Sequence, residues 1–498
     1  MRYLPLARPS DAVLAATLVQ VAAEPEAARP LPWVGRAPLT SALGLAGADA
    51  LAFALCAGVT LAVRNRIWGP LPYPLGLVEM GIAWILLRVG TGLYPGFGLS
   101  PVEELQKSMT TTVVAAMAHT ALLFAAKAAT ASRFVVLVTW MVLALASWMS
   151  RGGCKELLIR LRRFGAPVII VGAGESGSRL VGELRRNPGL GLIPVGFFDN
   201  DPAKQGRIVA GVPVLGFGEE ALRTRFPYAV RHALIAIPSL SGQKLARLAR
   251  ALSPRCPRVG IMRDMFGLVD LSLRPRALGT CLALEVQNNL LDPVNMAVKR
   301  AFDLLLAIPL AVATLPVVLL AGLVVKVVSP GPAFFVQERE GLRGRRIRVW
   351  KIRTMVPNAE AVLDRYLAGN EDATAEWASH MKLRNDPRVV PGVGRLLRRL
   401  SIDEFPQLWN VLKGEMSLVG PRPFPHYHLE QFPEDFRNLR RQVIPGMTGL
   451  WQITCRSEGD LREQEQTDSY YIRNWSLWLD LWVLLRTAGV VLNGRGAY

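Results

Sequence analysis

Four long apolar stretches, residues 39–63, 71–87, 109–126 and 134–150, restrict the chain before any motif is considered. Each is near the roughly 17–25 residues needed to cross a hydrocarbon layer as a helix. Nothing in that layer can hydrogen-bond an exposed backbone, so helix is the expected form. Four crossings return the chain to its starting side. The segment behind the fourth, with Arg151, Lys155, Arg160, Arg162 and Arg163, is the most basic flank. The positive-inside rule therefore places it, and the N-terminal segment 1–38, in the cytoplasm. No signal peptide is expected there, because Gln20 interrupts the run from Val13 to Ala23 and only Arg2 and Arg8 precede it. Asp49, Glu79 and His119 fall inside the stretches. Contact between helices or a position near the interface accounts for them, with a transport role as the rival.

Composition agrees with a membrane protein carrying a basic surface. Hydrophobic residues make up 51% of the chain, and 58 Lys+Arg against 39 Asp+Glu leave a net charge of +19, which excludes a disordered or soluble acidic protein. Nucleic acid is the rival partner for that charge, and the membrane setting argues for no nucleic acid. Cys56, Cys154, Cys256, Cys281 and Cys455 lie far apart, so neither a zinc site nor a disulfide framework is expected.

Residues 39–151 are read as the four-helix membrane region, and 152–286 change character. Short β-branched runs alternate there with helical segments, as in a parallel Rossmann-like sheet. The run Val168–Val171 feeds into Gly172-Ala173-Gly174-Glu175-Ser176-Gly177, a GxGxxG between strand and helix. Gly172, Gly174 and Gly177 are thus candidate nucleotide-binding positions, and Asp199 stands where a ribose-binding carboxylate is expected. No tyrosine is followed four residues later by lysine, so the Tyr-x-x-x-Lys pair of sugar-nucleotide reductases and epimerases is missing. An unidentified bound nucleotide and a structural relic of such a site both remain open.

A linker, 287–298, leads to a unit spanning 299–498. Its first part is an apolar run with Lys299 and Arg300 before it and Lys326 after it. It is long enough to span a bilayer, but Pro309 and Pro316 interrupt it, and cationic ends favour one common side. Residues 301–326 are therefore read as a re-entrant hairpin broken at Pro316, with a fifth full crossing as the rival. Beyond it Arg339, Arg343, Arg345, Arg346, Arg348, Lys351 and Arg353 form a basic cluster suited to phosphate or anionic lipid.

The stretch Arg398-Arg399-Leu400-Ser401-Ile402-Asp403-Glu404-Phe405-Pro406 can be a capping box, Ser401 with Glu404, opening an ordinary helix. With Arg422 in Gly420-Pro421-Arg422-Pro423 it also suits a carboxylate nucleophile beside a pyrophosphate and a divalent metal. A helix N-terminus would keep Asp403 ionised. Asp386 and Asp468 are weaker candidate site acids, because a turn and a helix cap account for them equally well. His380, His426 and His428 lack ligand-like spacing and read as surface residues. Tyr471, Trp475, Trp478 and Trp482 recur at helical spacing, suiting either core or membrane interface.

These motifs, with Lys299-Arg300-Ala301-Phe302-Asp303, Lys351-Ile352-Arg353-Thr354-Met355, Asn385-Asp386-Pro387-Arg388 and Pro445-Gly446-Met447-Thr448-Gly449, resemble the monotopic bacterial phosphoglycosyltransferases. Tyr94-Pro95-Gly96-Phe97-Gly98-Leu99, Asn474-Trp475-Ser476-Leu477-Trp478 and Gly496-Ala497-Tyr498 are similar to its long, galactose-transferring branch. The family's Ser-Pro helix break is Leu315-Pro316 here, and Ile402 and Phe405 replace leucines around the dyad. The resemblance implies a membrane protein of α plus α/β class, with four transmembrane helices, a Rossmann-like domain and a mostly helical catalytic domain on the cytoplasmic face of the bacterial inner membrane. It further implies transfer of hexose 1-phosphate, galactose first and glucose next, from a UDP-hexose to undecaprenyl phosphate through a phosphosugar-aspartyl intermediate on Asp403. Glu404 with Asp403 would hold Mg²⁺, and Lys351, Arg398 and Arg422 the phosphates. A tethered sugar-nucleotide dehydratase or epimerase and a non-enzymatic scaffold are the alternatives. The surface available allows a homodimer.

Overall fold

A computed structural model describes residues 35–69, 76–125, 132–222, 224, 226, 228–262, 272–278, 281–370, 373–374, 377, 383, 386–454 and 461–492. Most of the 1–38 segment, Asn385, His380, Cys455 and Gly496 to Tyr498 thus lie outside the described residues. The chain forms two compact units, 1–265 and 266–498.

The first unit opens with helices α1 (Ala37–Trp68), α2 (Leu77–Gly90), α3 (Pro101–Ala125) and α4 (Arg133–Arg160). Leu45, Trp84, Trp140 and Leu143 are buried between them, while Leu51, Leu55, Leu86 and Met141 stay exposed on the outside. Apolar inside and out is the pattern of helices surrounded by lipid. Three of these helices are long and apolar enough to cross a membrane, and a later helix, Pro293–Val328, is the fourth among the described residues. The second expected stretch contributes only the 14-residue α2, residues 70–75 being outside the described ones.

Charge holds this bundle together. Asp49 pairs with Arg88 at 2.7 Å and Arg151 at 2.9 Å, both arginines being buried, and accepts the Tyr94 hydroxyl. Arg151 also meets Glu104 at 3.0 Å, and Lys155 meets Glu104. His119 is equally internal, its Nδ1 accepting from Trp140 Nε1 at 3.1 Å, whereas Glu79 is exposed. The expected contact between helices accounts for Asp49 and His119. It also revises the basic flank: α4 runs on to Arg160, and two of the five cations, Arg151 and Lys155, are buried ion-pair partners.

The same unit continues into a six-stranded sheet. Its strands are β1 (Ala166–Val171), β2 (Leu192–Phe198), β3 (Ile208–Val209), β4 (Val212–Gly216), β5 (His232–Ile235) and β6 (Arg258–Ile261). The order is β3-β4-β2-β1-β5-β6, parallel except for β3. Helices α5 (Glu175–Arg186) and α6 (Gly242–Leu252) follow β1 and β5. The glycines of the β1–α5 turn are sterically required. Gly172 has φ +107°, and a Cβ at Gly177 would lie 2.1 Å from the Gly172 carbonyl oxygen.

The second unit includes the hairpin β7 (Ser272–Leu278) and β8 (Cys281–Gln287), so the sheet domain ends before the expected residue 286. Helix α7 (Pro293–Val328) follows, capped by Asp292, which accepts from Val294 N at 2.8 Å and Asn295 N at 3.1 Å. Pro309 and Pro316 lie inside this helix. The expected break at Pro316 is thus a proline within one continuous helix, removing a hydrogen bond without ending the element.

Both ends of α7 are anchored in the second unit. At the N-terminal end Lys299 pairs with Asp480 at 2.7 Å, and Asp303 accepts Ser417 Oγ at 2.7 Å and Leu418 N at 3.2 Å. At the C-terminal end Ala321 and Val325 pack with Ile352 and Leu397. Leu310, Val312, Leu315 and Leu319, between these ends, are exposed.

Asp49→Asn leaves Arg88 and Arg151 buried against a neutral amide, so a loss of about 3–5 kcal/mol is expected. The measurement is the thermal midpoint in detergent, and an unchanged midpoint would show that these pairs do not hold the bundle.

Candidate active site

The dyad occupies a single tight turn between two short helices, α9 (Val393–Arg399) and α10 (Gln407–Lys413), where residues 402–404 form one 3₁₀ turn. Ser401 enters it at φ +56° and makes no side-chain cap, so the expected capping box does not form. Two other elements face this turn. Strand β10 (Arg346–Ile352), paired antiparallel with β9 (Phe334–Glu340), brings Lys351. The loop after β11 (Ser417–Val419) brings Arg422. Asn410, on α10, ties the helix to β10 by donating to the Arg348 carbonyl at 2.7 Å.

Lys351 Nζ lies 2.7 Å from Glu404 Oε1, and an Arg422 guanidinium nitrogen 3.1 Å from the same oxygen. Burial would raise the Glu404 carboxyl, but Lys351 and Arg422 outweigh it and hold it at about 2. Asp403 is only 9% exposed. Burial first, and the Glu404 charge second, push its carboxyl up to about 6, against Lys351 and Arg398. The expectation that a helix N-terminus keeps Asp403 ionised is therefore replaced: it lies before α10, and it ionises because the pH exceeds about 6.

Arg398 belongs to the site by charge. Its Nε donates to Thr354 Oγ1 at 2.9 Å, and Asp403 and Asp386 are its acidic neighbours. Asp386 makes a two-point pair with Arg388, which donates Nε at 2.8 Å and a terminal nitrogen at 2.6 Å. Asp386 thus neighbours Arg398 and has its own carboxylate taken up by Arg388. Asp468 is further removed. It is buried on α14 (Leu461–Asn474), bonded to Arg440 of α12 (Glu434–Arg441), and Arg440 also donates to the Arg422 carbonyl. Asp468 thereby reaches the loop carrying Arg422 through Arg440.

Thr354 and Arg388 lie inside motifs that carry the resemblance but are given no role by it, and Arg440, whose partner Asp468 is 28 residues away in the chain, has no sequence signal at all. His428 is half-buried and stacks on Phe424 with ring centroids 4.5 Å apart, so it is not the surface residue expected. Tyr471 and Trp475 are buried and donate to Asp480 at 2.7 and 3.1 Å. The aromatic face expected on one helix is divided between α14 and α15 (Leu477–Leu492).

Among the described residues no group of three or more His, Cys, Asp or Glu could hold a metal ion. Mg²⁺ is commonly held by one or two carboxylates together with substrate phosphates, and Asp403 with Glu404 fit that kind of site. In the first unit Asp199 is committed to the glycine loop. It accepts from Ala173 N at 2.7 Å and Asp201 N at 2.9 Å, with Lys204 at 3.4 Å.

A buried carboxylate beside a second one clamped by cations, with an arginine on either flank, is suited to covalent exchange of phosphoanhydrides. Residues 294–494 match the family described as Bacterial sugar transferase, and residues 91–256 the one described as CoA-binding domain. The chain is 34% identical over 430 residues to the undecaprenyl-phosphate galactose phosphotransferase of Salmonella typhimurium, covering 85% of this chain and 87% of that protein. It is 33% identical over 370 residues to the UDP-galactose-lipid carrier transferase of Erwinia amylovora, covering 74% and 76%. Against the UDP-glucose:undecaprenyl-phosphate glucose-1-phosphate transferase of Escherichia coli it is 32% identical over 338 residues, 66% and 68% of the two chains. The chain belongs to the bacterial sugar transferase family, and it is a phosphoglycosyltransferase.

Burial holds the Asp468 carboxyl at about 6 even beside Arg440. This is above the ordinary value of about 4, so ionising it costs stability as pH rises through that window. Removing the cation extends the cost to higher pH. Arg440→Gln is therefore expected to melt below the parent, with the gap widening from pH 5 to pH 8. A gap independent of pH would contradict this ion pair.

Proposed function

We propose that the chain transfers hexose 1-phosphate, galactose first, from a UDP-hexose to undecaprenyl phosphate on the cytoplasmic face of a bacterial inner membrane. The observation that carries this reading is the asymmetry of the dyad. Glu404 is held by Lys351 and Arg422, whereas Asp403 is buried and paired with neither, leaving its carboxylate as the nucleophile.

In the first half-reaction Asp403 attacks the β-phosphorus of the UDP-hexose. The bond to the bridging oxygen breaks, UMP leaves with both electrons of that bond, and a phosphosugar-aspartyl acyl phosphate, a mixed anhydride, forms. An oxygen of undecaprenyl phosphate then attacks the same phosphorus and releases the Asp403 carboxylate. Lys351, Arg398 and Arg422 neutralise phosphate charge through both steps. Mg²⁺, held by Glu404 and Asp403 with the diphosphate, would supply further charge neutralisation. No general base is needed, because one anhydride is exchanged for another. The galactose reading follows the names of the relatives in Salmonella and Erwinia, and glucose is the second reading, from the Escherichia coli relative.

Support for a membrane helix that enters and leaves on one side comes from α7, whose two ends both pack on the catalytic unit. Single cysteines at Val294 and Val327, which are 70% and 78% exposed, should both react with an impermeant maleimide from the cytoplasmic side of inverted vesicles. Reaction of one from each side would establish a full crossing.

The reaction itself is tested by UMP release with Mg²⁺ and UDP-galactose or UDP-glucose. A substoichiometric burst without undecaprenyl phosphate, turnover with it, and neither in Asp403→Asn are expected. Since Asp403 is basic only above about 6, the burst rate should fall about tenfold per unit below that pH. Folded protein releasing no UMP from either donor, or an Asp403→Asn variant that keeps the burst, would overturn the assignment.

A further inference from the structure

A cavity of about 280 Å³ lies in the first unit, lined by Phe97, Gly98, Leu192, His232, Ala233, Leu234, Arg258, Val259 and Gly260. Its place in the fold separates it from the glycine loop. Leu192, His232 and Arg258 are the first residues of β2, β5 and β6, whereas nucleotides in open α/β sheets bind at the carboxyl ends of the strands. The opposite wall, Phe97 and Gly98, belongs to the connection between α2 and α3. It is fixed by Gly98 N donating to the Leu190 carbonyl at 2.8 Å.

The lining is apolar except for His232 and Arg258. Both ring nitrogens of His232 are buried and meet no hydrogen-bonding partner. A buried polar group left unpaired is costly, and an imidazole has two such groups to satisfy. Its charged neighbours are Arg258 and Arg231, both exposed. Burial and these two guanidinium groups hold the imidazole below its ordinary pKa, so it is neutral near pH 7 and its N–H remains a donor. Arg258, which lines the cavity, and this unpartnered donor form an anion-binding corner at the edge of an apolar space, with the charge of Arg231 adding to theirs.

We propose that this cavity binds the phosphate head and first tail carbons of a single-chain amphipathic lipid anion. Two polar side chains are too few for the base, ribose and hydroxyls of a sugar nucleotide, which need several fixed polar partners. An apolar floor suits a hydrocarbon. The bilayer is its nearest source, because the Phe97–Gly98 wall is a few residues from two helices of the apolar bundle. The site is independent of the Asp403 chemistry.

Native mass spectrometry of the full chain released from detergent tests this with three probes: oleoyl lysophosphatidic acid, monoolein and inorganic phosphate. One retained lysophosphatidic acid per chain is expected, with neither of the others held at the same concentration. His232→Leu and Arg258→Gln should each weaken retention about tenfold, the worth of one charge-assisted hydrogen bond. Arg258 is exposed, so its replacement keeps the test usable if the histidine variant fails to fold, and an unchanged thermal midpoint verifies each variant. Equal retention of monoolein would mean an apolar cavity without head recognition. Retention of inorganic phosphate alone would mean a soluble-anion site. Either result, or lysophosphatidic acid binding that neither substitution weakens, or no retention, overturns the proposal.

Discussion

The buried contact of Lys299 with Asp480 is the constraint on which the second unit rests. Two oppositely charged groups are removed from water there only because Tyr471, Trp475, Ser417 and the Leu418 amide complete the bonding of Asp480 and Asp303. Breaking one member would leave a buried charge unpaired, a cost of about 3–5 kcal/mol. The network fastens the start of the long apolar helix to β11, and the strand leads directly into the loop carrying Arg422. The long apolar helix and the loop whose arginine pairs with Glu404 are thereby held by one set of side chains.

From that anchorage the site acquires its division of labour. Adjacent carboxylates in one turn cannot be electrostatically alike once two cations lie against only one of them. Lys351 and Arg422 stabilise the charge of Glu404, and that charge in turn raises the proton affinity of Asp403. Arg440 extends the arrangement outward by joining the Arg422 backbone to Asp468. An acid distant from the reacting centre can therefore matter to it without touching substrate.

The bundle, the parallel sheet and the adjacent acids were legible in the sequence, because each is local in its signal: an apolar run, alternating strands with a glycine turn, a motif of adjacent residues; Lys351, 53 residues from Glu404, entered only through the family resemblance. What escaped was relational. Arg151 and Lys155 read as a basic flank because their partners Asp49 and Glu104 lie 102 and 51 residues away in the chain and meet them only after it folds back on itself. Ser401 and Glu404 had the spacing of a capping box, yet Lys351 and Arg422 compete for the same carboxylate and win. Asp199 had the position of a ribose ligand, yet its carboxylate accepts the backbone amides of Ala173 and Asp201. Pro316 marked an interruption that the surrounding helix absorbs.

Fastening the long helix at both ends has a mechanical consequence. A membrane helix held at one point can slide along its axis or tilt when the bilayer thickens or thins. This one cannot shift lengthwise without pulling either Lys299 from Asp480 or Val325 from Ile352 and Leu397. The height of the dyad above the helix is therefore a fixed dimension of the protein, and a change in the surrounding lipid must be accommodated by the lipid.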